Sequence, residues 1–320
     1  MEVKLALAGD TMLGRGVAEG LASAPGESLV APEVVAAARE ADLFLLNLEC
    51  CISERGRLWP DPRKPFFFRA PPAATEVLTH LGVDCVTLAN NHALDFGPEA
   101  LLDTRDHLRS AGIALVGAGL DEEEAWAPVV LEARGFRVGI VAFGDHPPEF
   151  AAGPGRPGIA FADLHRPRLP ERLLATVRDL DADAVVVSPH WGPNMAEAPL
   201  PSVRAAASAL LSAGATFVAG HSAHIFQGVE GTVLYDLGDF LDDYRIDPVL
   251  RNDLGLLVLV SLDEDGPIRL EGLPLKLEYC YTRLAEGEDA AWVRRRFERA
   301  CAAFGTGPTE ENGRLAIDWR

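Results

Sequence analysis

The sequence has few basic side chains for its length. It contains 29 lysine and arginine residues against 48 aspartate and glutamate residues, a formal net charge of −19 at pH 7. A surface of that sign repels phosphate groups, so the composition argues against nucleic acid or an anionic membrane as a partner. An anionic substrate would need a metal ion or clustered arginines to reverse the local potential.

Cysteine and long apolar runs are also scarce. The five cysteines form no Cys-x-x-Cys pair, which argues against a zinc ribbon, a redox motif or a disulfide framework. No apolar stretch reaches the roughly 18–20 residues that a membrane span requires. The chain runs from Met1 directly into an apolar segment, without the basic region and cleavage site of a secretory leader. We therefore expect a soluble, cytoplasmic protein with no membrane span.

Strand-like apolar segments and amphipathic helix-like segments alternate over the first two-thirds of the sequence, and strand-like segments dominate the rest. This order predicts an α/β fold with layered, mixed sheets. A length of 320 residues is long for one domain. Because no repeat, low-complexity tract or clean linker divides the chain, we expect residues 1–320 to form a single domain.

Polar side chains follow the buried strand predicted over residues 83–89. Asn90, Asn91 and His92 come directly after it, and a helix is predicted to begin at Gly97-Pro98. Open α/β sheets bind their ligands at the carboxyl ends of the strands, so this stretch is a candidate site. Asparagine also tolerates left-handed turn conformations, and shaping the turn remains an alternative role for one of the pair.

Four further strand-like segments end in side chains that bind metals. These side chains are Asp10, Glu49, His190, and the pair His221 and His224. Each has an ordinary structural explanation by itself, such as capping a helix or pairing with a neighbour. Five such strand ends in one chain favour a shared site. A mixed set of carboxylate, imidazole and amide groups suits divalent Mn, Fe or Zn.

Six motifs surround these residues. They are Gly9-Asp10-x-Met12-x-Gly14-Arg15, Asn47-Leu48-Glu49, Ala89-Asn90-Asn91-His92-x-x-Asp95-x-Gly97, His190-Trp191-Gly192, Gly220-His221-x-x-His224-x-x-Gln227-Gly228 and Tyr235-x-Leu237-Gly238-x-Phe240. In this order, between residues 3 and 242, they resemble the poly-gamma-glutamate capsule biosynthesis (CapA) family, which is similar to calcineurin-like metallophosphoesterases. The resemblance implies a four-layer α/β/β/α sandwich of metallophosphoesterase type with mixed sheets, completed by strands and a helix in residues 255–320.

The resemblance also implies roles for individual residues. The metal ligands would be Asp10, Glu49, Asn91, His190, His221 and His224, holding one or two ions of Mn, Fe or Zn. Asp10 would also serve catalysis, and His92 would assist the leaving group while Asp95 orients its ring. With an unperturbed pKa of about 6.5 and a carboxylate beside it, His92 is expected to be a general acid at neutral pH.

Three positions depart from the expected pattern. Metallophosphoesterases carry Asp-x-His on the first strand, whereas Met12 occupies the histidine place here. A thioether is a poor ligand for a hard divalent ion, so one metal position, or the whole centre, would be lost if that ligand is needed. His221 and His224 are separated by one residue more than is usual, and Asp239 stands where the family usually has asparagine.

Two enzymatic hypotheses are compatible with these residues. The first is a metal-dependent hydrolase that cleaves a gamma-glutamyl or peptide amide, or a phosphoester. The alternative is a metal-independent acid/base epimerase of a peptide or amino acid, which would use Asp10, a site histidine and a thiol of Cys50 or Cys51. A binding subunit with a relic site is a third hypothesis, but it does not explain why all six ligand-type residues are present. We favour the hydrolase; the sequence leaves the oligomeric state open.

The substrate is expected to be a small molecule or a peptide. Arg15, Trp59 and Arg69 are candidate substrate-binding residues, together with Lys64 and Phe68 of the same loop. Arginine binds carboxylate or phosphate groups, and aromatic rings bind cations or apolar groups. The alternative is that this loop packs its aromatic side chains onto the core.

Overall fold

The computed structural model describes residues 2–23 and 29–320. The strands within these residues are β1 (Val3–Thr11), β2 (Leu43–Leu48), β3 (Cys51–Ile52), β4 (Arg69–Ala70), β5 (Cys85–Thr87), β6 (Ala114–Val116), β7 (Ala118–Gly119), β8 (Val129–Ala133), β9 (Phe136–Gly144), β10 (Gly158–Ile159), β11 (Ala184–His190), β12 (Phe217–Ala219), β13 (Val229–Glu230), β14 (Val233–Leu234), β15 (Asp239–Leu241), β16 (Leu254–Asp263), β17 (Gly266–Glu278), β18 (Tyr281–Leu284), β19 (Thr309–Glu311) and β20 (Arg314–Asp318). The α-helices are α1 (Arg15–Ser23), α2 (Pro32–Ala38), α3 (Ala74–Leu81), α4 (Gly97–Ser110), α5 (Glu122–Ala125), α6 (Glu171–Asp179), α7 (Pro201–Ala213) and α8 (Gly287–Ala302).

Two large mixed sheets contain most of the strands of the described residues. The first sheet has ten strands in the order β19-β20-β17-β16-β1-β2-β5-β6, with β15 beside β1 and β18 beside β17. Its strands β1, β2, β5 and β6 run parallel, whereas β16 is antiparallel to β1. The second sheet has six strands in the order β13-β14-β12-β11-β9-β8. Within it, β9, β11, β12 and β14 run parallel.

Successive residues of the central strands pack into different cores, because side chains alternate between the faces of a sheet. Leu5 on β1 lies in a core that also contains Val186 on β11, so the two sheets pack face to face. Ala6 lies in a second core with residues of α1 to α4. Val187 lies in a third core with residues of α5 to α7. The layer order is α/β/β/α, which confirms the predicted fold class.

The carboxyl-terminal elements join the first sheet and the core between the sheets. β16 pairs with β1 from Val3↔Leu262 to Leu7↔Val258, and Val293 and Phe297 of α8 are fully buried in the core between the sheets. No helix in the two described ranges is both long and apolar enough to cross a membrane.

Proline and glycine set several helix ends, and the predicted start of α4 is confirmed. α4 begins at Gly97-Pro98, and α7 begins at Pro201 and ends before Gly214, whose φ is 114°. Proline suits a first helical turn because its missing N–H would have no partner there, and glycine suits the left-handed residue that follows a helix. The strand predicted over residues 83–89 is shorter than expected, since only Cys85–Thr87 pairs as β5.

The packing between the sheets predicts how truncation will act. Leu7 is 2% exposed between the sheets, so Leu7→Ala should lower the free energy of unfolding of the protein by about 2–5 kcal/mol. Leu58→Ala is the control, because Leu58 is 56% exposed and a surface truncation changes stability by about 0.5 kcal/mol at most. Urea unfolding of both variants tests this, and equal midpoints would contradict the assignment of Leu7 to the core.

Candidate metal centre

The candidate metal ligands lie where strand ends of the two sheets meet. Asp10 is in β1, Glu49 follows β2 directly, and His190 ends β11. His221 lies just beyond β12 and forms a parallel bridge with His190. Ligand atoms of Asp10, Glu49 and His190 lie within 4.8 Å of one another, although these residues are distant in sequence.

Asp10 is the most densely contacted carboxylate of the centre. Its Oδ1 accepts a hydrogen bond from Asn47 Nδ2 at 2.7 Å and lies 3.4 Å from His221 Nδ1. Its Oδ2 lies 3.4 Å from His224 Nδ1 and accepts a hydrogen bond from the backbone N–H of Ser222 at 3.3 Å. Burial alone would raise the pKa of Asp10, but the nearby imidazole of His221 and the charges of His190 and His224 lower it below its usual range.

Glu49 lies between two histidines. Its Oε1 is 3.9 Å from His190 Nε2, and its Oε2 is 4.0 Å from His224 Nδ1. These distances are too long for hydrogen bonds. They fit two ligands of one ion, because atoms that each lie about 2.1 Å from a metal are at most about 4.2 Å apart. Burial and the nearby carboxylate of Asp10 raise the pKa of Glu49 well above its usual value.

Asn47 and Asn90 hold the surrounding turns. The sequence analysis gave Asn47 no role of its own and left a turn-shaping role open for one of the asparagines after residue 89. Asn47 donates to Asp10, and its Oδ1 accepts hydrogen bonds from Thr87 Oγ1 and Asn90 Nδ2, both at 3.0 Å. Asn90 Oδ1 in turn accepts from the backbone N–H of His92 at 3.0 Å. Asn90 is therefore the structural member of the asparagine pair. An asparagine inside the apolar strand Leu43–Leu48 was a usable signal for Asn47, because asparagine is depleted in strands.

The turn that carries His221 and His224 has an unusual backbone. Ser222 has a φ of 110° and His224 a φ of 59°, both in the left-handed region. Such conformations cost of order 1–3 kcal/mol each and persist where the surroundings enforce them. Asp236 Oδ2 accepts a hydrogen bond from the backbone N–H of Ala223 at 2.7 Å and so helps to hold the turn. This conformation accommodates the extra residue between the two histidines.

His92 and Asp95 form a hydrogen-bonded pair beside the centre. His92 Nδ1 lies 2.6 Å from Asp95 Oδ2, and the imidazole stacks on the Phe68 ring at a centroid distance of 4.0 Å. Asp95 also accepts a hydrogen bond from the backbone N–H of Phe68 at 2.6 Å and pairs with Lys64 Nζ at 3.0 Å. The ring nitrogen that remains to His92 is Nε2.

The expectation that His92 is protonated at neutral pH is wrong for this structure. Burial, which outweighs the favourable carboxylate of Asp95, lowers the pKa of His92 to about 4. Lys64 contributes because it pairs with the same carboxylate and places a second positive charge nearby. His92 is therefore a neutral imidazole at pH 7, with Nδ1–H directed to Asp95 and Nε2 able to accept a proton.

Asp239 and Tyr244 also reach the centre, and the sequence analysis gave neither a site role. Asp239 Oδ1 lies 2.8 Å from His224 Nδ1, and Tyr244 donates its hydroxyl hydrogen to Glu49 Oε2 at 2.9 Å. Burial and the neighbouring carboxylate of Asp242 raise the pKa of Asp239 well above its usual value. Asp239 was visible in the sequence only as a departure from the family pattern.

Met12 does not face the metal-binding side chains. It is fully buried in the core between the first sheet and α1 to α4, and its sulfur accepts a hydrogen bond from the backbone N–H of Gly14 at 3.0 Å. The place where a histidine ligand is expected, directly after β1, is therefore taken by a core residue.

The donor set nevertheless fits divalent ions. Buried polar atoms without a hydrogen-bond partner among the described residues include Glu49 Oε1, Asn91 Oδ1, His221 Nδ1 and Asp239 Oδ2. Leaving such an atom unsatisfied costs about 1–3 kcal/mol, which coordination of a cation would offset. Two groups of ligand atoms are close enough for an ion: Asp10 with Glu49 and His190, and Asp10 with His224 and Asp239. Room for one or two metals therefore exists without Met12.

Two cavities meet at His92. The larger, of about 630 Å³, is lined by Arg15, Phe68 and Tyr244 among others. The smaller, of about 270 Å³, is lined by Trp59, Lys64, Asn91 and His146. His146 was missed by the sequence analysis, although it follows the end of β9 as the other site residues follow their strands, and its ring centroid lies 5.4 Å from that of His190.

The three predicted substrate-binding residues occupy different places. Arg15 lies over the Phe68 ring at 4.8 Å in the larger cavity and is paired with Asp243. Trp59 borders the smaller cavity and packs on Phe150 with a centroid distance of 4.8 Å. Arg69 lines neither cavity, since its guanidinium stacks over Phe96 at 4.2 Å, and its role in substrate binding stays a prediction.

The cysteines beside Glu49 are not acids. Cys50 and Cys51 are both fully buried. Burial raises the pKa of the Cys50 thiol to about 12 and that of the Cys51 thiol further. Both thiols therefore stay protonated at neutral pH and are weak proton donors, which does not favour the epimerase alternative.

Comparison with known proteins places these features in a family. Residues 4–244 match the family described as bacterial capsule synthesis protein PGA_cap. The probable polyglutamine synthesis accessory protein of Mycobacterium tuberculosis H37Rv is 34% identical over 299 residues, covering 88% of this chain and 77% of the relative. The capsule biosynthesis protein CapA of Bacillus anthracis is 27% identical over 293 residues, covering 87% and 68%.

The fold is also found among solved structures. One described as a novel phosphatase from Mycoplasma pneumoniae aligns with a TM-score of 0.52 at 13% identity, covering 86% of this chain and 94% of that one. At that identity the likeness concerns the fold alone. The family match covers most of the chain, and all six motifs lie within it. The chain belongs to the bacterial capsule synthesis protein PGA_cap family.

Proposed function

We propose that this protein is a metal-dependent hydrolase that cleaves an amide bond of the gamma-glutamyl or peptide type. The observation that carries the proposal is a group of buried atoms that could coordinate a metal and have no hydrogen-bond partner among the described residues. They are Glu49 Oε1, Asn91 Oδ1 and His221 Nδ1, and the His92–Asp95 pair lies beside them. The ligands would be Asp10, Glu49, Asn91, His190, His221 and His224, and the ions Mn, Fe or Zn. We take residues 1–320 to act as one unit, in keeping with the pairing of β16 with β1.

The charges around the larger cavity favour an amide over a phosphoester. Arg15 is already paired with Asp243 at its edge. Arg245 and Asp247, which also line the cavity, offset each other in formal charge. A phosphate group would gain little binding free energy from a cavity whose arginines are matched by aspartates. The relatives named for polyglutamine synthesis and capsule biosynthesis support an amide of a small molecule or peptide as the substrate class.

The bound metal would lower the pKa of water and polarise the substrate carbonyl. The protein's own contribution is proton transfer at His92. Because its Nδ1–H is held by Asp95, Nε2 of the neutral ring accepts a proton and later donates it to the leaving nitrogen. Asp95 stabilises the imidazolium formed in between. Lys64 and the Phe68 backbone fix Asp95 for this purpose.

The first test of this function compares two variants. Glu49→Gln should lose metal and activity, because it removes a charged ligand. Asp95→Asn should keep metal, because the contacts of Asp95 are with His92, Lys64 and the Phe68 backbone and not with a proposed ligand. Metal content is measured by mass spectrometry on protein purified without chelator, and activity with gamma-glutamyl p-nitroanilide and p-nitrophenyl phosphate. Hydrolysis that survives complete chelation would contradict the proposal, and equal metal content in both variants would remove Glu49 from the ligands.

The role of His92 is tested by the leaving group. His92→Ala should keep its metal and lose roughly 10²–10⁴-fold in turnover of an alkyl amide, whose amine must be protonated to leave. The loss should be much smaller for the p-nitrophenyl ester of the same acyl group, since p-nitrophenolate leaves without a proton. Equal losses on both substrates, or loss of metal, would show that His92 is a ligand or a structural residue.

The lowered pKa of His92 predicts a pH dependence of stability. The folded chain favours the neutral ring, so the stabilisation is complete above pH 6.5 and is lost as the pH falls from 6.5 to about 4. The loss reaches roughly 3 kcal/mol by pH 4. In chelator-treated protein, His92→Gln should show a shallower fall in unfolding free energy over this range than the unchanged protein. His165→Gln, at an exposed histidine, is the control, and equal slopes for all three proteins would refute the shift.

A further inference from the structure

The approach of β15 to β1 places a second carboxylate beside Asp10. The two strands run parallel, with Asp10 opposite Asp239. The backbone N–H of Asp10 donates to Gly238 O at 2.9 Å. A Cβ atom on Gly9 would lie 1.8 Å from that oxygen, so glycine is required for the strands to come this close. The position of Asp239 is thus fixed by the backbone.

One histidine nitrogen faces all the carboxylates. His224 Nδ1 lies 2.8 Å from Asp239 Oδ1, 3.4 Å from Asp10 Oδ2 and 4.0 Å from Glu49 Oε2. Neighbouring ligands of an octahedral ion with bonds of about 2.1 Å are about 3.0 Å apart. An ion bound through His224 Nδ1 would therefore have Asp239 and Asp10 oxygens within reach of its coordination shell.

Asp239 also has an unused oxygen. The residue is 1% exposed, and its Oδ2 has no hydrogen-bond partner in the described part of the chain. A carboxylate this deeply buried is unfavourable unless a cation or hydrogen bonds compensate it. Lys64 and Arg15, which lie near the centre, are paired with Asp95 and Asp243.

We propose that Asp239 is a metal ligand in this protein, and that it binds a first ion together with Asp10 and His224. The inference rests on the metal centre of the proposed function. It makes the two positions chemically different. The first would be bound by the carboxylates of Asp10 and Asp239 with one imidazole, that of His224, and the second would include Glu49, His190 and His221. Oxygen-rich sites suit Mn²⁺, whereas imidazole-rich sites suit Zn²⁺ or Fe²⁺.

Titration of chelator-stripped protein with MnCl₂ tests the assignment directly. The unchanged protein should bind its first equivalent of Mn²⁺ at the carboxylate-rich position. Asp239→Asn should weaken this step by at least about 100-fold, more than the loss typical of a residue that only orients a ligand. Because asparagine still accepts a hydrogen bond from His224 Nδ1, a residue that only positions His224 would leave the affinity unchanged, and that result would overturn the proposal.

Asp242→Asn is the matched control. Asp242 is also a buried aspartate with an unpaired Oδ2, but it is outside both groups of ligand atoms and accepts a hydrogen bond from the Tyr244 backbone at 2.7 Å. The affinity of the Asp242→Asn variant for Mn²⁺ should stay within about threefold of that of the unchanged protein. Comparable losses in both variants would mean that buried charge in general, and not coordination by Asp239, sets the affinity.

A measurement on the unchanged protein avoids any failure of the variants to fold. With one equivalent of Mn²⁺ bound, electron spin-echo spectroscopy should detect one coordinated histidine nitrogen, from His224. Two or more imidazoles on the first ion would overturn the proposal while leaving the hydrolase function in place. Failure of the unchanged protein to bind any divalent metal would refute both the hydrolase function and this inference.

Discussion

The burial of several carboxylates against one another is the constraint on which the centre depends. Asp10, Glu49 and Asp239 are each at most 1% exposed. Like charges that lie close together repel one another, and burial removes the water that would screen this repulsion. The chain, with a net charge of −19, has few cations to offer here. Protons or metal ions must therefore balance the carboxylates, which links the stability of this region to what it binds.

The strand ends that met at this centre were largely visible in the sequence. Asp10, Glu49 and His190 follow apolar runs that can be identified without a structure, and parallel strands bring such ends to one edge. Asp239 and Tyr244 could not be found this way. They arrive through the parallel pairing of β15 with β1, a contact between residues more than two hundred positions apart, and no local pattern predicts such a pairing.

The protonation of His92 illustrates a second limit of sequence reasoning. Asp95 three residues away predicts a charged imidazole, and the pair does form. Two features outside that stretch reverse the result: the ring is buried against Phe68, and Lys64 shares the carboxylate. Whether a histidine is an acid or a base thus depends on neighbours contributed by a separate loop. Arg69 follows Phe68 directly, and its contact with Phe96 is likewise one that no local pattern predicts.

Neutral amides hold the geometry of this charged centre for a physical reason. Asn47 donates to Asp10 through its amide nitrogen and accepts from Thr87 and Asn90 through its amide oxygen, so the amide is fixed at both ends and orients the Asp10 carboxylate. A carboxylate in its place could not donate and would add one more repulsive charge, whereas a lysine would neutralise Asp10 and compete with an ion. An amide does neither. The amides therefore position the centre; in the proposed function the carboxylates would bind the cations, and the neutral His92 would transfer the proton.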